Sequence, residues 1–335
     1  MHLELELVAA FLEKRDMCPG SSSKPCVSVI IPMYNSEAYI ASCLESIFNT
    51  SYDRDKVEVI VVDNKSTDGG ASIVARYGAL LVRSEAGTIA KVRNDGAAVA
   101  KGEILAFIDS DCQIPPAWIQ NGVSVLSRAD VGAAGAGYRV PPDAATWVEK
   151  AWLYEVQGAE DVVKFVPSGN MLVKRDLFDL IGGFGEALVT CEDADLCERV
   201  TRKGFKVINS SSLQSIHLRN PKTALEFFKK EKWYGHNTAV SVSNLNLDKV
   251  FLFTVVFCLL HLLLLLSLQN TTISLAALSS IVILVNVSVM YRVSKSKKYS
   301  HYHFLLLLYY LYFWARGLGM AGYALKRLKG NPNET

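Results

Sequence analysis

Two aspartates one residue apart follow a run of apolar residues in the first half of the chain. Residues Ile104 to Ile108 predict a buried strand, and Asp109 and Asp111 come directly after it. Alternate residues of an extended segment point to the same side, so both carboxylates can face one crevice at the strand's C-terminal end. Carboxylates held this close repel each other unless a cation lies beside them, and a divalent ion that binds phosphate oxygens is the usual solution. A surface turn after a buried strand is the alternative interpretation.

Other predicted strands upstream also end in polar clusters. The apolar runs Val27 to Pro32 and Val57 to Val62 predict buried strands, and Asp63 ends the second one. Helical patterns separate the strands, at a spacing typical of right-handed βαβ units and of an α/β fold with a mostly parallel sheet. The C-terminal ends of parallel strands meet at one edge of a sheet, so Asp63 and Asp109 converge there. The pattern predicts a nucleotide-binding crevice at that edge.

Composition limits what this crevice can belong to. The chain has 335 residues and a net charge of +2, and no basic run before its C-terminal segment alternates with stacking aromatics, so no nucleic acid partner is expected. Residues 1 to 249 have the composition of a soluble domain, whereas apolar residues dominate positions 250 to 325. The seven cysteines are scattered without a C-x-x-C spacing, which predicts a reduced domain without structural zinc.

Four segments of the chain resemble, in the same order, the motifs of family 2 glycosyltransferases. The resemblance covers roughly Val27 to Gly235. It implies a glycosyltransferase A fold, which is a Rossmann-like nucleotide-diphospho-sugar transferase fold, together with a nucleotide-sugar donor, a divalent metal (Mg²⁺ or Mn²⁺) and inversion at the anomeric carbon. The four segments are Pro32-Met33-Tyr34-Asn35-Ser36-Glu37, Val62 to Gly69, Arg93-Asn94-Asp95-Gly96 and Phe107-Ile108-Asp109-Ser110-Asp111.

The resemblance also implies which residues bind the donor. Asp63 accepts a hydrogen bond from the base, and either Lys91 or Arg93 approaches the diphosphate. Both basic positions stay open, because the basic residue varies within the family. The remaining donor-site residues implied are Pro32, Tyr34 and Glu37 at the base and ribose, and Asp109, Ser110, Gly169, Asn170 and Glu192 further along the chain.

An acidic cluster near position 193 supplies the candidate base. Glu192, Asp193 and Asp195 lie at a predicted helix start, where acidic residues also simply complement the helix dipole. In the family, this motif carries the catalytic base, at the position of Asp193. An inverting transfer needs one base to remove the acceptor proton and one metal to stabilise the leaving diphosphate.

The metal ligands implied by the resemblance are Asp109, Asp111 and His217. Asp111 ligates the ion directly, and Asp109 faces the ribose and the metal shell. Imidazole binds divalent metals well, and the family often has a histidine at about the place of His217. A structural role is the alternative for a single histidine.

Processive members of the family carry a Gln-x-x-Arg-Trp motif, which this chain lacks. Gln214 is followed three residues later by His217, and the segment Lys229 to Trp233 has neither glutamine nor arginine. We therefore expect transfer of a single sugar. Aromatic residues mixed with lysines in this segment predict a helix that lies on the membrane.

The C-terminal segment predicts an integral membrane protein. Val250 to Leu268 and Ile273 to Tyr291 are long enough to span a bilayer, and Phe304 to Leu325 is predicted to be re-entrant, interfacial or spanning. Lysines before the first span place the catalytic domain in the cytoplasm. The predicted organisation is an extension and linker at 1–25, a catalytic domain at 26–220, an amphipathic interfacial segment at 221–249, a membrane segment at 250–325 and a basic tail at 326–335.

The leading functional prediction is a membrane-anchored, metal-dependent inverting glycosyltransferase in glycan or polysaccharide synthesis. It transfers one sugar from a nucleotide-diphospho-sugar, with UDP-sugar favoured, to a lipid-linked or otherwise membrane-associated acceptor. One alternative is a polyprenyl-phosphate sugar synthase, whose phosphate acceptor is already ionised and needs no base. The other is a catalytically silent membrane scaffold of the same fold.

Overall fold

A computed structural model describes residues 24–328 except 86, 140, 142–144, 154–159, 189, 243–248 and 297–299. Most of the predicted extension and linker at 1–25 and most of the predicted basic tail lie outside the described residues. The chain divides into two compact units. The first takes in the described residues up to Pro141 and from Glu160 to Arg219, and the second takes in 145–153 and those from Asn220 onward.

Strands and helices alternate through most of the first unit, and four helices follow in the second. The strands are β1 Val27–Met33, β2 Val57–Asp63, β3 Leu80–Arg83, β4 Ile104–Ile108, β5 Cys112–Gln113, β6 Val131–Gly135, β7 Tyr138–Arg139, β8 Glu160–Val162, β9 Asn170–Lys174, β10 Lys206–Ser210 and β11 Ser215–His217. The helices are α1 Ile40–Phe48, α2 Gly70–Tyr77, α3 Ile89–Val99, α4 Trp118–Leu126, α5 Trp147–Trp152, α6 Arg175–Leu180, α7 Glu192–Arg202, α8 Ala224–Val242, α9 Lys249–Leu266, α10 Thr271–Ser296 and α11 Tyr302–Leu328. Short 3₁₀ turns occur at Arg54–Lys56 and Ser211–Leu213.

An eight-stranded sheet with the order β3-β2-β1-β4-β9-β6-β10-β8 forms the centre of the first unit. β3, β2, β1 and β4 are parallel, as the βαβ spacing predicts, and so are β6 and β10. β9 runs antiparallel between β4 and β6. β9 begins at Asn170, so the Ser168-Gly169 step directly precedes this strand.

Two apolar layers cover this sheet. α1 and α4 pack on one face, where Ile40, Leu44 and Trp118 are fully buried. α3, α6 and α7 pack on the other face around Phe107 and Phe178, whose ring centroids are 5.5 Å apart. β1 and β4 are buried on both faces of the sheet, which explains their continuous apolar sequences. A strand with neither face in contact with solvent does not alternate apolar and polar residues.

A three-stranded sheet with the order β5-β11-β7 lies just beyond the end of β4. β11 pairs antiparallel with β5, so His217 lies opposite Cys112. It also pairs parallel with β7, where Ser215 lies opposite Tyr138. This sheet therefore brings a segment about a hundred residues downstream next to the two aspartates.

The cysteines depart in one respect from the sequence-based expectation of a fully reduced domain. Cys43, Cys112, Cys191, Cys197 and Cys258 form no disulfide among the described residues, which agrees with it. Cys26, in contrast, is disulfide-bonded. Cys26 directly precedes β1, at the opposite end of that strand from the loop that carries Tyr34.

The second unit contains three helices that are long and apolar enough to cross a membrane, judged by length and composition. These candidate spans are Lys249–Leu266, Thr271–Ser294 and Tyr302–Lys326. The first two agree with the predicted spans. The third is one continuous helix, α11, which is longer than its uninterrupted apolar stretch of about 12 residues suggests.

An ion pair joins α8 to α11. Nε of Arg316 donates to Oε2 of Glu231 at 2.9 Å, and both side chains are largely buried. The guanidinium also lies 5.2 Å from the ring centre of Tyr234 and 5.0 Å from that of Tyr312. α5 belongs to the same unit, since Trp152 packs edge-to-face on Phe227.

Candidate active site

The two aspartates after β4 are held by backbone hydrogen bonds from two other segments. The amide of Asp109 donates to the carbonyl of Gly169 at 3.1 Å, and the amide of Leu218 donates to the carbonyl of Asp111 at 2.7 Å. A Cβ atom built on Gly169 would lie 2.0 Å from Oδ2 of Asp109. Only glycine therefore fits at this position with the carboxylate where it is, and the side chain of Asp109 lies directly on the Gly169 backbone.

His217 faces the second aspartate. Its Nε2 lies 3.5 Å from Oδ1 of Asp111, and both side chains are nearly buried, at 13% and 12% exposure. The ring of Tyr138 meets the imidazole edge-to-face, with centroids 4.8 Å apart. The β-ladder of the small sheet fixes the backbone of His217, which explains how residues so far apart in sequence come to share one site.

The side chains around Asp111 fit a hard divalent cation. Ligand atoms of Asp111, Cys112 and His217 all lie within 4.8 Å of one another. Burial, and then the charges of Asp109 and Asp111, hold the pKa of the Cys112 thiol well above its usual range, so it stays protonated and is a poor ligand. The remaining oxygen and imidazole donors suit Mg²⁺ or Mn²⁺, and a separation of 3.5 Å suits two ligands of one ion.

A buried arginine joins the aspartate side of the site to the acidic cluster of α7. Nη2 of Arg93 donates to Oδ1 of Asp109 at 2.9 Å, and Nη1 donates to Oε1 of Glu192 at 2.8 Å. Only 4% of the Arg93 side chain is exposed. Oγ of Ser168 adds a second donor to the same oxygen of Glu192 at 2.9 Å. The structure thus brings together three residues predicted to bind the donor, and joins them through one guanidinium.

Asp193 lies beside this link, in the first turn of α7. Its Oδ1 accepts a hydrogen bond from the amide of Ala194 at 2.8 Å, and the backbone of Ser168 also bonds to its carboxylate. Burial raises the pKa of Asp193, and the negative charge of Glu192 raises it further, whereas these hydrogen bonds and Arg93 oppose the shift. A carboxylate with a raised pKa is a better proton acceptor than an ordinary aspartate.

The residues predicted to surround the nucleoside lie in two loops that hold each other. Oε2 of Glu37 accepts from the amide of Gly69 at 3.0 Å, so this exposed side chain ties the loop after β1 to the loop after β2. Oδ1 of Asp63 accepts from the amide of Ser66 at 3.1 Å and caps its own loop. Tyr34, in contrast, is 59% exposed at the edge of the crevice. The tyrosine is therefore accessible to a ligand, while the two acids also stabilise the loops.

Three other predicted donor residues have local partners. Pro32 is buried inside β1. Oγ of Ser110 lies 2.7 Å from Oγ of Ser36 and is buried with it. Nζ of Lys91 pairs with Oδ1 of Asp95 one helical turn away. None of these three side chains points an uncommitted polar group at the aspartates.

The side chain of Asn170, another residue implied to line the donor site, is enclosed by the protein. It is fully buried. Its Nδ2 donates to the carbonyls of Ala136 and Leu213, and its Oδ1 accepts from Nε1 of Trp118 at 2.9 Å. Because each polar atom already has a protein partner, we remove the Asn170 side chain from the proposed donor-binding set. Its role here is to join β9 to β6 and to the turn before β11.

Arg219 is close to the site but was missed by the sequence analysis. Its Nη2 donates to the carbonyl of Asn35 at 3.3 Å, and its guanidinium lies 5.4 Å from the ring centre of Tyr39. Burial is the main influence on Asp111 and raises its pKa, and the negative charge of Asp109 raises it further, while the nearby His217 and Arg219 oppose this shift. The only sequence signal for Arg219 was a basic residue two positions after the histidine.

Comparison with known proteins gives the family. Residues 28–183 match the model for glycosyl transferase family 2. Glycosyltransferase AglE of Haloferax volcanii is 30% identical over 211 residues, which are 60% of this chain and 69% of that protein. The beta-monoglucosyldiacylglycerol synthase of Nostoc sp. is 28% identical over 195 residues, which are 53% of this chain and 42% of that protein.

Comparison with solved structures supports the fold. The mannosyltransferase PcManGT from Pyrobaculum calidifontis superimposes with a TM-score of 0.58 at 22% sequence identity, over 98% of each chain. The predicted α/β glycosyltransferase A fold, with its mostly parallel sheet, is thereby confirmed. This chain belongs to glycosyltransferase family 2, and it is a glycosyltransferase.

Proposed function

We propose that this protein is a metal-dependent, inverting glycosyltransferase that moves one sugar from a nucleotide-diphospho-sugar to a membrane-associated acceptor. The observation that carries the proposal is the Asp109–Arg93–Glu192 link. It couples the carboxylates suited to a metal with the helix that carries Asp193. Both groups that an inverting transfer requires therefore belong to one connected site.

Asp193 serves as the base in this proposal. As the acceptor hydroxyl attacks the anomeric carbon, Asp193 takes its proton. Ser168 positions the base, since its backbone bonds to the carboxylate of Asp193 and its hydroxyl bonds to the neighbouring Glu192. Asp111 and His217 would hold the divalent ion, with Asp109 facing the ion and the ribose. When bound, the ion stabilises negative charge on the leaving diphosphate.

The residues of the crevice support a nucleotide-sugar donor, and the description of a similar protein bears on which nucleobase that donor carries. Tyr34, Glu37 and Asp63 would surround the base and ribose. A UDP-sugar remains our favoured donor. A GDP-sugar is the second candidate, since PcManGT is described in complex with GDP-Man and Mn²⁺.

The acceptor is proposed to be lipid-linked or a membrane lipid. The Nostoc relative is named as a synthase of a glucosylated diacylglycerol, a membrane lipid. The apolar helices of the second unit support the same choice, since they would keep the enzyme at the bilayer surface. The exposed face of α8 carries Lys229, Lys232 and Trp233, a composition that suits contact with lipid headgroups. We propose that the catalytic domain faces the cytoplasm.

A polyprenyl-phosphate sugar synthase remains the second candidate. Its acceptor is an ionised phosphate, so Asp193 would be dispensable. The raised pKa of Asp193 favours a hydroxyl acceptor, because a buried carboxylate with a raised pKa is better suited to accept a proton. A silent scaffold is disfavoured, since buried acids joined by an arginine are costly to keep without a function.

A donor screen tests the proposal. The purified full chain is titrated with UDP, GDP and dTDP, with and without Mn²⁺, and hydrolysis of the corresponding sugar nucleotides is followed. We expect one nucleotide to bind in a Mn²⁺-dependent way, and His217→Ala to require more Mn²⁺ for half-maximal hydrolysis. Absence of binding by all three nucleotides, or binding indifferent to Mn²⁺, would reject the proposal.

A further inference from the structure

The two basic residues implied to meet the diphosphate are both occupied by carboxylates. Lys91 is paired with Asp95 on its own helix. Arg93 is nearly buried and uses both terminal nitrogens, one on Asp109 and one on Glu192. Withdrawing Arg93 toward a ligand would leave two acids without their partner, at a high energetic cost. The cation for the diphosphate should therefore lie elsewhere in the crevice.

Arg219 lies where such a cation is needed. The neighbouring residue, Leu218, is fixed to Asp111 by a backbone hydrogen bond of 2.7 Å. From this anchor the Arg219 side chain reaches the carbonyl of Asn35, in the loop after β1 that also carries Tyr34. Arg219 and the backbone of the residue before it thus connect the loop after β1 to Asp111. A diphosphate joins the nucleoside to the sugar, so it has to cross this same interval.

The present contacts of Arg219 leave it available. Among the described residues, Arg219 donates a hydrogen bond to a neutral carbonyl at 3.3 Å, close to the limit for such a bond. The residue is exposed, and in the described part of the chain its guanidinium forms no ion pair. Arg128, Arg199 and Arg202 are, in contrast, each paired with a carboxylate.

We propose that Arg219 is the residue of this chain that binds the diphosphate of the donor. The proposal rests on the proposed function and names the ligand group of that same site. The planar guanidinium can donate two parallel hydrogen bonds to phosphate oxygens, which a lysine ammonium cannot do with the same geometry. Contact with the diphosphate would also draw the segment after β11 against the loop after β1.

The test compares nucleoside diphosphates with nucleosides. Full-length wild-type protein, Arg219→Ala and Arg219→Lys are titrated with UDP, GDP and dTDP and with uridine, guanosine and thymidine, at one saturating Mn²⁺ concentration. Arg219→Ala should weaken binding of the preferred diphosphate at least about tenfold, since charge-assisted hydrogen bonds are lost. Its affinity for the nucleoside should stay within about twofold, and Arg219→Lys should recover only part of the loss.

Arg202→Ala is the matched control, because Arg202 is an exposed arginine paired with Glu198 on the outside of α7. It should bind the diphosphate as the wild type does. Unchanged diphosphate affinity in Arg219→Ala, or equal losses for diphosphate and nucleoside, would overturn the assignment. If the wild type binds none of the nucleoside diphosphates, the proposed function fails and this assignment fails with it.

Discussion

Arg93 contacts both halves of the proposed site. It bonds to Asp109 at the end of β4 and to Glu192 at the start of α7, which are far apart in sequence. The guanidinium of Arg93 also lies 5.7 Å from the ring centre of Phe184. Its contribution is to neutralise two acids that would otherwise repel each other, and to fix their separation.

Replacing Arg93 with methionine should destabilise the first unit. The change leaves the Glu192 carboxylate buried without its cation, and breaking a buried pair in this way costs about 3–5 kcal/mol. Arg93→Lys should recover little, because one ammonium cannot bridge the two acids as the forked guanidinium does. The melting temperature in detergent measures the effect, and Arg202→Ala, which removes an exposed pair, should change it by little. Equal melting temperatures for all three variants would refute the structural role of Arg93.

The pH dependence of transfer should report the raised pKa of Asp193. A base works only when deprotonated, so kcat/KM falls as the pH drops through this pKa, and the acidic limb lies above the ordinary aspartate value of about 3.9. Glu192→Gln removes the neighbouring negative charge that helps raise the pKa, so it should move the limb to lower pH. A limb that does not move would belong to another group.

Among the secondary-structure elements, the step before β9 determines the position of Asp109. Gly169→Ala would place a methyl group 2.0 Å from Oδ2 of Asp109 and 2.6 Å from the hydroxyl of Tyr138, so the carboxylate has to move away from Arg93. We expect transfer to fall by about a hundredfold or more, the scale reported for misplaced catalytic groups. Gly137→Ala is the control in the neighbouring loop, because a Cβ there meets nothing within 4 Å. Near-normal transfer by Gly169→Ala would show that this carboxylate tolerates displacement.

The sequence predicted those elements whose signals are local. The βαβ order and the convergence of Asp63 and Asp109 at one sheet edge followed from apolar runs that end in polar clusters. The antiparallel placement of β9 and the small β5-β11-β7 sheet depend on pairing between distant segments, which leaves no periodic signal in either strand. For the same reason the Arg93–Glu192 pair and the burial of Asn170 required the structure.

At the scale of the whole molecule, α11 crosses the α9–α10 hairpin obliquely. The hydroxyl of Tyr302 bonds to Asn286, and Asn286 lies about 22 Å from the start of α10. Gly317 lies next to the side chain of Cys258, and Cys258 lies about 12 Å from the end of α9. Tyr302 and Gly317 are about 22 Å apart along α11. The residues that they contact, in contrast, differ by only about 10 Å in their distance from the connection between α9 and α10. The length and composition of α11 also suit a membrane span, so whether this helix is re-entrant, interfacial or spanning stays a prediction.

Cysteine labelling tests this topology. The experiment uses a Cys191→Ser background, because Cys191 is an exposed thiol. A cysteine at Asn333 should be labelled only after the cytoplasmic side is opened. A cysteine at Asn270, in the connection between α9 and α10, should instead react from outside intact cells. Labelling of the Asn333 cysteine from outside would establish a third span.

The central claim is that Asp111 and Asp193 serve one site with separate tasks, and a paired assay tests it most directly. Mn²⁺-dependent donor binding and sugar transfer are measured side by side for Asp111→Ala and Asp193→Asn. We expect Asp111→Ala to lose the Mn²⁺-dependent part of binding. Asp193→Asn should bind donor almost normally while transfer falls by about 10²–10⁴-fold, the usual contribution of a general base. Normal Mn²⁺-dependent binding by Asp111→Ala, or near-normal transfer by Asp193→Asn, would contradict the claim, and the latter would favour a phosphate acceptor.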